Sequence, residues 1–304
     1  MIDPQPDFQP VPGRAEPLAP GLRRVLAPNP SPMTFRGTNT YLLGTGALAV
    51  IDPGPLSEPH LEAILAAVEP GQHVSHILVT HAHLDHSPLA RPLSEATGAP
   101  VLAFGDAGAG RSKMMQDLAA SGLAGGGEGV DADFAPDELL ADGAVVEGDG
   151  WRLEALHTPG HFGNHLSFAW GDVLFSGDLV MGWASSLVSP PDGDLGAFMH
   201  SLERLRRRHW SRLHPGHGAP VEAPLARIEA LLAHRRAREA AILDALAAGP
   251  ADATRLAAMI YHDTDPALLP AAARNVLAHL IDMTLRKEVV TQGKFEKSSI
   301  FSKV

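Results

Sequence analysis

Thr80-His81-Ala82-His83-Leu84-Asp85-His86 gathers four side chains of metal-ligating type into six residues, directly after the apolar run 76–80. At the end of a strand, alternate side chains turn the same way. His81 and His83 can therefore share one ion, while Asp85 and His86 face a neighbouring position. Neutral imidazole and carboxylate suit zinc, with iron or manganese as alternatives. The competing reading is a polar loop that happens to be rich in histidine. Four ligating residues in this order behind a strand favour metal.

Composition narrows the rest. The chain has 304 residues, 16 histidines and no cysteine, with 24 Lys+Arg against 35 Asp+Glu for a net charge of −11. Without cysteine there is no disulfide framework, thiolate zinc finger or cysteine nucleophile. At 45% hydrophobic residues the chain can bury a core, and its length suits about two domains. No apolar run approaches the ~20 residues that cross a bilayer, and MIDPQPDFQPVPGR has neither the basic nor the apolar region of a signal peptide. The expectation is a cytoplasmic protein without a membrane partner. Its acidic balance argues against holding nucleic acid by bulk charge.

Elements that could position the histidine loop follow from periodicity. Residues 1–32 carry nine of the 26 prolines and read as an extended arm. Thr40–Gly44 and Ala47–Ile51 form a plausible hairpin, and Leu61, Ile64, Leu65 and Val68 mark an amphipathic helix over Glu58–Glu69. A helix follows at Pro88–Thr97, and then a strand at Val101–Phe104. Gly122–Gly129 is expected to be a surface loop. Strand-like runs recur at Gly143–Glu147, Trp151–His157, Asn164–Trp170 and Val173–Ser176; Leu195–Arg207 reads as helix and Arg212–His214 as a last strand. Sheets flanked by helices, an α/β (α+β) fold, is the class this order implies.

After Pro224 the composition becomes rich in Ala, Leu, Arg and Glu. Helices are expected at Leu225–Ala248, Ala253–Tyr261 and Pro270–Leu285, with a ribbon from Val289–Val290 and Ser299–Phe301, a winged-helix pattern. Residues 225–304 hold 11 Lys+Arg and 9 Asp+Glu, net +2, which leaves −13 for 1–224. The chain thus divides into a proline-rich arm (1–32), a catalytic domain (33–224) and a winged-helix-like domain (225–304).

His-x-His-x-Asp-His resembles the signature of the metallo-β-lactamase superfamily. Thr158-Pro159-Gly160-His161, Ser176-Gly177-Asp178 and Pro215-Gly216-His217-Gly218 follow in the family's order, and Gly37-Thr38-Asn39-Thr40-Tyr41 and Asp52-Pro53-Gly54 also fit. With the winged-helix-like part, the chain is most similar to the lactamase-β-like-2 branch, some of whose members cut single-stranded RNA. The resemblance implies an αββα metallo-β-lactamase sandwich with two metals at one edge. Carried over, His81, His83 and His161 bind the first ion, Asp85, His86 and His217 the second, and Asp178 bridges them. It also implies a bridging hydroxide as nucleophile, with Asp85 as the catalytic carboxylate that orients it and takes its proton.

Read alone, His161, Asp178 and His217 are each equally well turn residues. The first cluster needs further ligands to close its sites, and that favours the metal reading. Asp52 is either a carboxylate behind a metal-bound histidine or a turn cap. His165 either touches substrate or is a buried structural histidine. Ser185 and Ser186, in the loop WASSLVSPPDG, are candidates for substrate contact, with simple solvation as the competing reading.

The resulting expectation is a hydrolase carrying two Zn2+ and acting on an ester, thioester, lactone or related small molecule. Cleavage of single-stranded RNA is the first alternative. A glyoxalase-II-like glutathione thioesterase is the second, and a winged-helix nucleic-acid-binding regulator with a structural metal is the non-enzyme rival. In Pro270–Leu285 the polar face holds only Arg274, Asn275, His279 and Asp282, thin equipment for reading bases. Arg235, Arg236 and Arg238 read as a solvated, salt-bridged face. The C-terminal part is therefore expected to act as lid, substrate wall or homodimer surface.

Overall fold

A computed structural model describes residues 3–123, 129–262, 265–291, 295–296 and 298–304. Seven strands form the first sheet, each beside the next: β1 (Ala15–Ala19), β2 (Leu22–Leu26), β3 (Asn39–Leu43), β4 (Ala47–Ile51), β5 (His73–Leu78), β6 (Val101–Ala103) and β7 (Glu138–Leu139). Pairing is antiparallel up to β4 and parallel beyond it. The change comes where α1 (Glu58–Ala66) and α2 (Ala90–Thr97) supply the crossovers that parallel strands require. A third helix, α3 (Lys113–Ala120), precedes β7. The second sheet contains β8 (Val145–Gly148), β9 (Trp151–His157), β10 (Leu166–Trp170), β11 (Val173–Gly177) and β12 (Arg212–Pro215), in the order β12-β11-β10-β9-β8. α4 (Leu195–Arg206) crosses from β11 to its parallel neighbour β12.

Alternation along each strand builds the layers. In β3 and β4, Tyr41, Leu43, Ala49 and Ile51 meet Leu153, Ala155, Leu166, Phe168 and Phe175 of the second sheet. Their neighbours Leu42, Leu48 and Val50 turn outward onto Ile64 of α1 and Leu93 of α2. Leu156, Ala169 and Leu174 of the second sheet face Phe198, Leu202 and Leu205 of α4. The result is the helix-sheet-sheet-helix sandwich that the family resemblance implied. Both α1 and α4 begin where a side chain takes a free helix N–H: Ser57 accepts from His60 N and Asp194 from Ala197 N.

The proline-rich arm is not an arm over residues 15–26, which are strands β1 and β2 of the sheet. Its prolines are compatible because Pro17 lies in the edge strand and Pro20 in the β1–β2 turn, where no central ladder bond is lost. Of the glycine-rich stretch expected as a loop, 124–128 lies outside the described residues.

The C-terminal part contains α5 (Pro224–Ala247), α6 (Ala253–Ile260), a 3-10 turn at Pro266–Leu268, α7 (Leu269–Leu285), and the ribbon β13 (Val289–Thr291) with β14 (Phe301–Lys303). The compositional shift after Pro224 coincides with the start of α5, but packing is continuous across it. Ile228, Leu231 and Leu232 lie in the sandwich core, while Ile242 and Leu246 lie in the winged-helix core with Leu256, Leu280 and Phe301. Among the described residues, no helix is long and apolar enough to cross a membrane.

Candidate active site

Seven side chains that lie far apart in sequence converge at one end of the sandwich. His81, His83, Asp85 and His86 leave the loop after β5, His161 the turn after β9, Asp178 the end of β11, and His217 the turn after β12. All seven are buried. His83 Nδ1 lies 2.9 Å from His81 Nε2 and 3.1 Å from His161 Nε2. His217 Nε2 lies 3.2 Å from His86 Nε2 and 3.1 Å from Asp85 Oδ2. The Asp178 carboxylate reaches both groups, with Oδ2 at 3.7 Å from His161 Nε2 and 3.3 Å from His217 Nε2.

The far side of each ring explains which nitrogen turns inward. His161 Nδ1 donates to the Leu187 carbonyl at 2.7 Å, and His217 Nδ1 to Gly37 O at 3.1 Å. His86 Nδ1 donates to Asp52 Oδ2 at 2.9 Å. Thr80 spends its hydroxyl proton on Asp52 Oδ2, so its oxygen accepts from His81 Nδ1 at 3.0 Å. Four imidazoles are thereby held with Nε2 facing the centre.

The donor set fits two cations. Where His81, His83 and His161 meet, their outer bonds leave one proton for three nitrogens. Asp85 Oδ1 and Asp178 Oδ1 are buried without a hydrogen-bond partner, a costly arrangement that a cation relieves. Space is reserved as well: a Cβ at Gly216 would stand 2.4 Å from Asp178 Oδ1 and 2.7 Å from His86 Cε1. Electrostatics agree. Burial pushes His81, His83 and His161 below the ordinary imidazole range, His83 to about 3, which leaves them neutral. Burial lowers His86 and His217 too, yet Asp85 and Asp178 outweigh it, helped at His86 by Asp52, and His217 rises to about 10. The carboxylates thus demand positive charge at this point.

Positioning residues surround the set. Asp52, in the left-handed region at φ 50, accepts from Thr80 N at 2.7 Å while holding His86. Its turn and its carboxylate role coexist. His165 is buried beneath the His81 ring, bonded to Thr158 Oγ1 and accepting from Asp178 N at 3.2 Å. It therefore fixes Asp178 from behind and does not face substrate. Ser186 is also not a substrate contact: its fully buried hydroxyl donates to the carbonyls of Asp178 and Leu179. Ser185 does line the cavity. Two asparagines were not anticipated as positioning groups. Asn39 Nδ2 holds the His217 turn through Pro215 O and Gly218 O, and Asn164 Oδ1 accepts from Ala82 N in the histidine loop.

A cavity of about 330 Å³ opens over His83, Asp85, His161 and Asp178. Met33, Met181, Trp183 and Leu187 form one side of it. The other comes from the C-terminal helices: Arg238, Tyr261, Leu268, Ala272 and Asn275. Sequence patterns gave no signal for this wall beyond the general expectation of a lid or substrate wall. The arginine cluster needs correction. Arg235 is buried, not solvated, because helical spacing turns it toward α7, where Nη1 meets Asn275 Oδ1 at 2.9 Å. Only Arg236 fits the salt-bridged reading, paired with Glu203, while Arg238 stacks over Tyr261 at 4.3 Å.

Comparison with known proteins agrees with this architecture. Residues 33–217 match the metallo-beta-lactamase superfamily, and 253–297 match the beta-lactamase associated winged helix domain. A beta-lactamase-like protein 2 homolog of Drosophila melanogaster is 34% identical over 275 residues, covering 86% of this chain and 87% of its own. An atrochrysone carboxyl ACP thioesterase of Aspergillus fumigatus is 30% identical over 236 residues, 75% of this chain and 66% of that protein. Among solved structures, a metallo-beta-lactamase family protein from Thermus thermophilus superposes with a TM-score of 0.76 at 28% identity, over 95% of this chain and all of the other. A beta-lactamase domain protein from Burkholderia ambifaria shares the fold across 99% of this chain and 96% of its own, with a TM-score of 0.81 at 24% identity. The expectation of an enzyme of hydrolase type stands with these matches. Its sandwich, its ordered His/Asp motifs and its C-terminal module all agree that the chain belongs to the metallo-β-lactamase superfamily, in the form that carries an associated winged-helix domain.

Proposed function

We propose that this chain is a dinuclear zinc hydrolase acting on an acyl thioester or ester of small-molecule size. The observation that carries this reading is the convergence of five imidazoles and two carboxylates on a largely apolar cavity. His81, His83 and His161 would hold one metal, Asp85, His86 and His217 the other, with Asp178 offering an oxygen to each. When bound, the ions supply Lewis acidity and bring the pKa of water toward neutrality.

The chain's own residues do the rest. Asp85 lies on the cavity wall with a free Oδ1, placed to orient the attacking water and accept its proton. Burial would raise its pKa, but His86 and His217 hold it below the ordinary carboxylate range, so it is ionised and able to accept a hydrogen bond from that water. Met33, Met181, Trp183 and Leu187 desolvate the acyl portion, while Arg238 offers a charge to an anionic group at the wall.

Two features weigh toward a small acyl substrate and away from RNA. Arg238 is the single Lys or Arg among the described cavity residues, whereas a polyanion calls for several. Moreover, the polar face of α7 turns inward: Asn275 bonds Val188 N, Arg274 bonds Ser189 Oγ, and His279 is buried. The thioesterase named among the Aspergillus fumigatus relatives supports the same substrate class. The lone cavity arginine also weighs against a glutathione thioester, whose recognition calls for a basic set.

The test is a panel comprising an acyl thioester, a lactone, a phosphodiester and short single-stranded RNA, run with metal analysis. Thioester turnover lost in Asp178→Ala, with far-UV dichroism unchanged, is the expected result. Cleavage of RNA with the thioester inert would overturn the substrate class. Purified protein without transition metal, unresponsive to added zinc, would overturn the whole reading.

A further inference from the structure

The strap 186–188, just beyond Asp178, is gripped from both sides. Toward the centre, the Leu187 carbonyl takes the His161 Nδ1 proton at 2.7 Å, and the Ser186 hydroxyl donates to the Asp178 carbonyl. Toward the C-terminal helices, the Ser186 carbonyl accepts from Arg235 Nη2, and Val188 N donates to Asn275 Oδ1 at 3.0 Å. Arg235 Nη1 closes the loop on the same Asn275 oxygen at 2.9 Å. Arg235 belongs to α5 and Asn275 to α7.

A guanidinium 2% exposed, with its Nε unpaired, is a poor stabilising device. Taking a guanidinium out of water is costly, and in other proteins buried charged groups are often replaced by apolar side chains of similar volume without loss of stability. What the planar fork provides, and an apolar chain does not, is a fixed distance between two acceptors. Those acceptors are the strap and the residue that also holds the strap.

We infer that Arg235 and Asn275 are positioning residues for the metal centre: they set the register of strap 186–188, and through it the inward aim of His161 and Asp178. The winged-helix module is then a working part of the centre as well as a wall of its cavity. This rests on the reading of His161 and Asp178 as metal ligands. Partners one step behind a ligand typically change metal affinity by about 10–100-fold, and Arg235 and Asn275, a further step back through the strap, are expected to act at or below the lower end of that range.

The experiment is a cobalt(II) titration of the metal-free full-length chain, followed by visible absorption. Asn275→Leu and Arg235→Met are expected to bind cobalt more weakly than wild type, by up to ~10-fold, with an altered ligand-field band. Asn275→Asp keeps an acceptor oxygen for both Val188 N and Arg235 and is expected to restore affinity and spectrum. Met283→Ala opens a hole in the core of the same module without a bond to the strap; it is expected to lower the melting temperature but leave cobalt binding as in wild type. The inference is overturned if folded Asn275→Leu matches wild type in affinity and spectrum, or if Met283→Ala weakens cobalt as much. Should Arg235→Met not fold, the two Asn275 variants decide alone. Wild type that binds no cobalt would refute the ligand reading itself, which separates the two failures.

Discussion

Asp52 Oδ2 lies 2.9 Å from His86 Nδ1, and the same carboxylate accepts both the N–H and the hydroxyl of Thr80. One turn residue thereby aims His86 directly and, through the Thr80 oxygen, His81 as well. Two imidazoles from opposite ends of the histidine loop share a single buried anchor.

Asp52→Asn tests that anchor. Asparagine tolerates the left-handed backbone at this position, so the turn persists. Its amide would present N–H to His86 Nδ1, forcing the tautomer whose proton sits on Nε2. Zinc affinity is expected to fall ~10–100-fold with the far-UV spectrum retained, as measured by competition with a chromophoric chelator.

Removing metal should cost stability as well as turnover. Ions that bind the folded chain but not the unfolded one add roughly 4 kcal/mol when present at a thousandfold over Kd. Urea unfolding in the presence of a strong chelator should therefore show a lower midpoint, restored by excess zinc. Identical midpoints with and without chelator would argue that no tightly bound cation is part of the fold.

Gly216→Ala probes the space between ligands. A methyl group there would overlap Asp178 Oδ1 and His86 Cε1, and the carboxylate must move aside. Metal loading measured by elemental analysis should drop below that of wild type, and turnover should fall with it. A fully loaded, active variant would show that the carboxylate has room to spare.

Acid sensitivity should have a component from a histidine outside the cluster of seven, set behind Asp52 through Thr40. Burial lowers His60 to about 4, and Thr40 Oγ1 binds its Nε2 at 2.9 Å. Because the folded value lies below the unfolded one, near 6.5, the contribution is fully present above pH 6.5. It is lost as pH falls from there toward 4, where the unfolded chain gains a proton and the folded one does not. The full loss is roughly 3 kcal/mol. Chemical denaturation at pH 7 and pH 4.5 should show a shallower loss in His60→Gln, which keeps a donor toward Thr40.

The seven side chains that converge were legible because they sit in short motifs: His81 to His86 in one loop, then His161, Asp178 and His217 each beside a glycine or proline turn. Most strands were legible through alternation, as Trp151–His157 illustrates with bounds matching β9. β2 was hidden because the prolines around it outweighed Leu22, Val25 and Leu26, all of which are buried. α3 was hidden because its apolar residues Met115 and Leu118 serve the core of the C-terminal module rather than a neighbour in sequence. Ser186, His165 and Arg235 share a further limit. Whether a serine, histidine or arginine faces solvent, substrate or another side chain depends on partners 8 to 49 residues away, and no local pattern encodes them.

The unbroken α5, with Ile228 in one core and Leu246 in the other, has a kinetic consequence. A rod of 24 residues spans about 36 Å, and it carries Arg238 of the cavity wall without a break from the turn that anchors Ile228 in the sandwich. That side of the cavity is thus set by the packing of α5 into both cores. Trp183, stacked on Phe35, and Leu268 line opposite sides of that cavity, so a change in its width falls to side chains and is expected to leave turnover insensitive to cross-links between α5 and the sandwich.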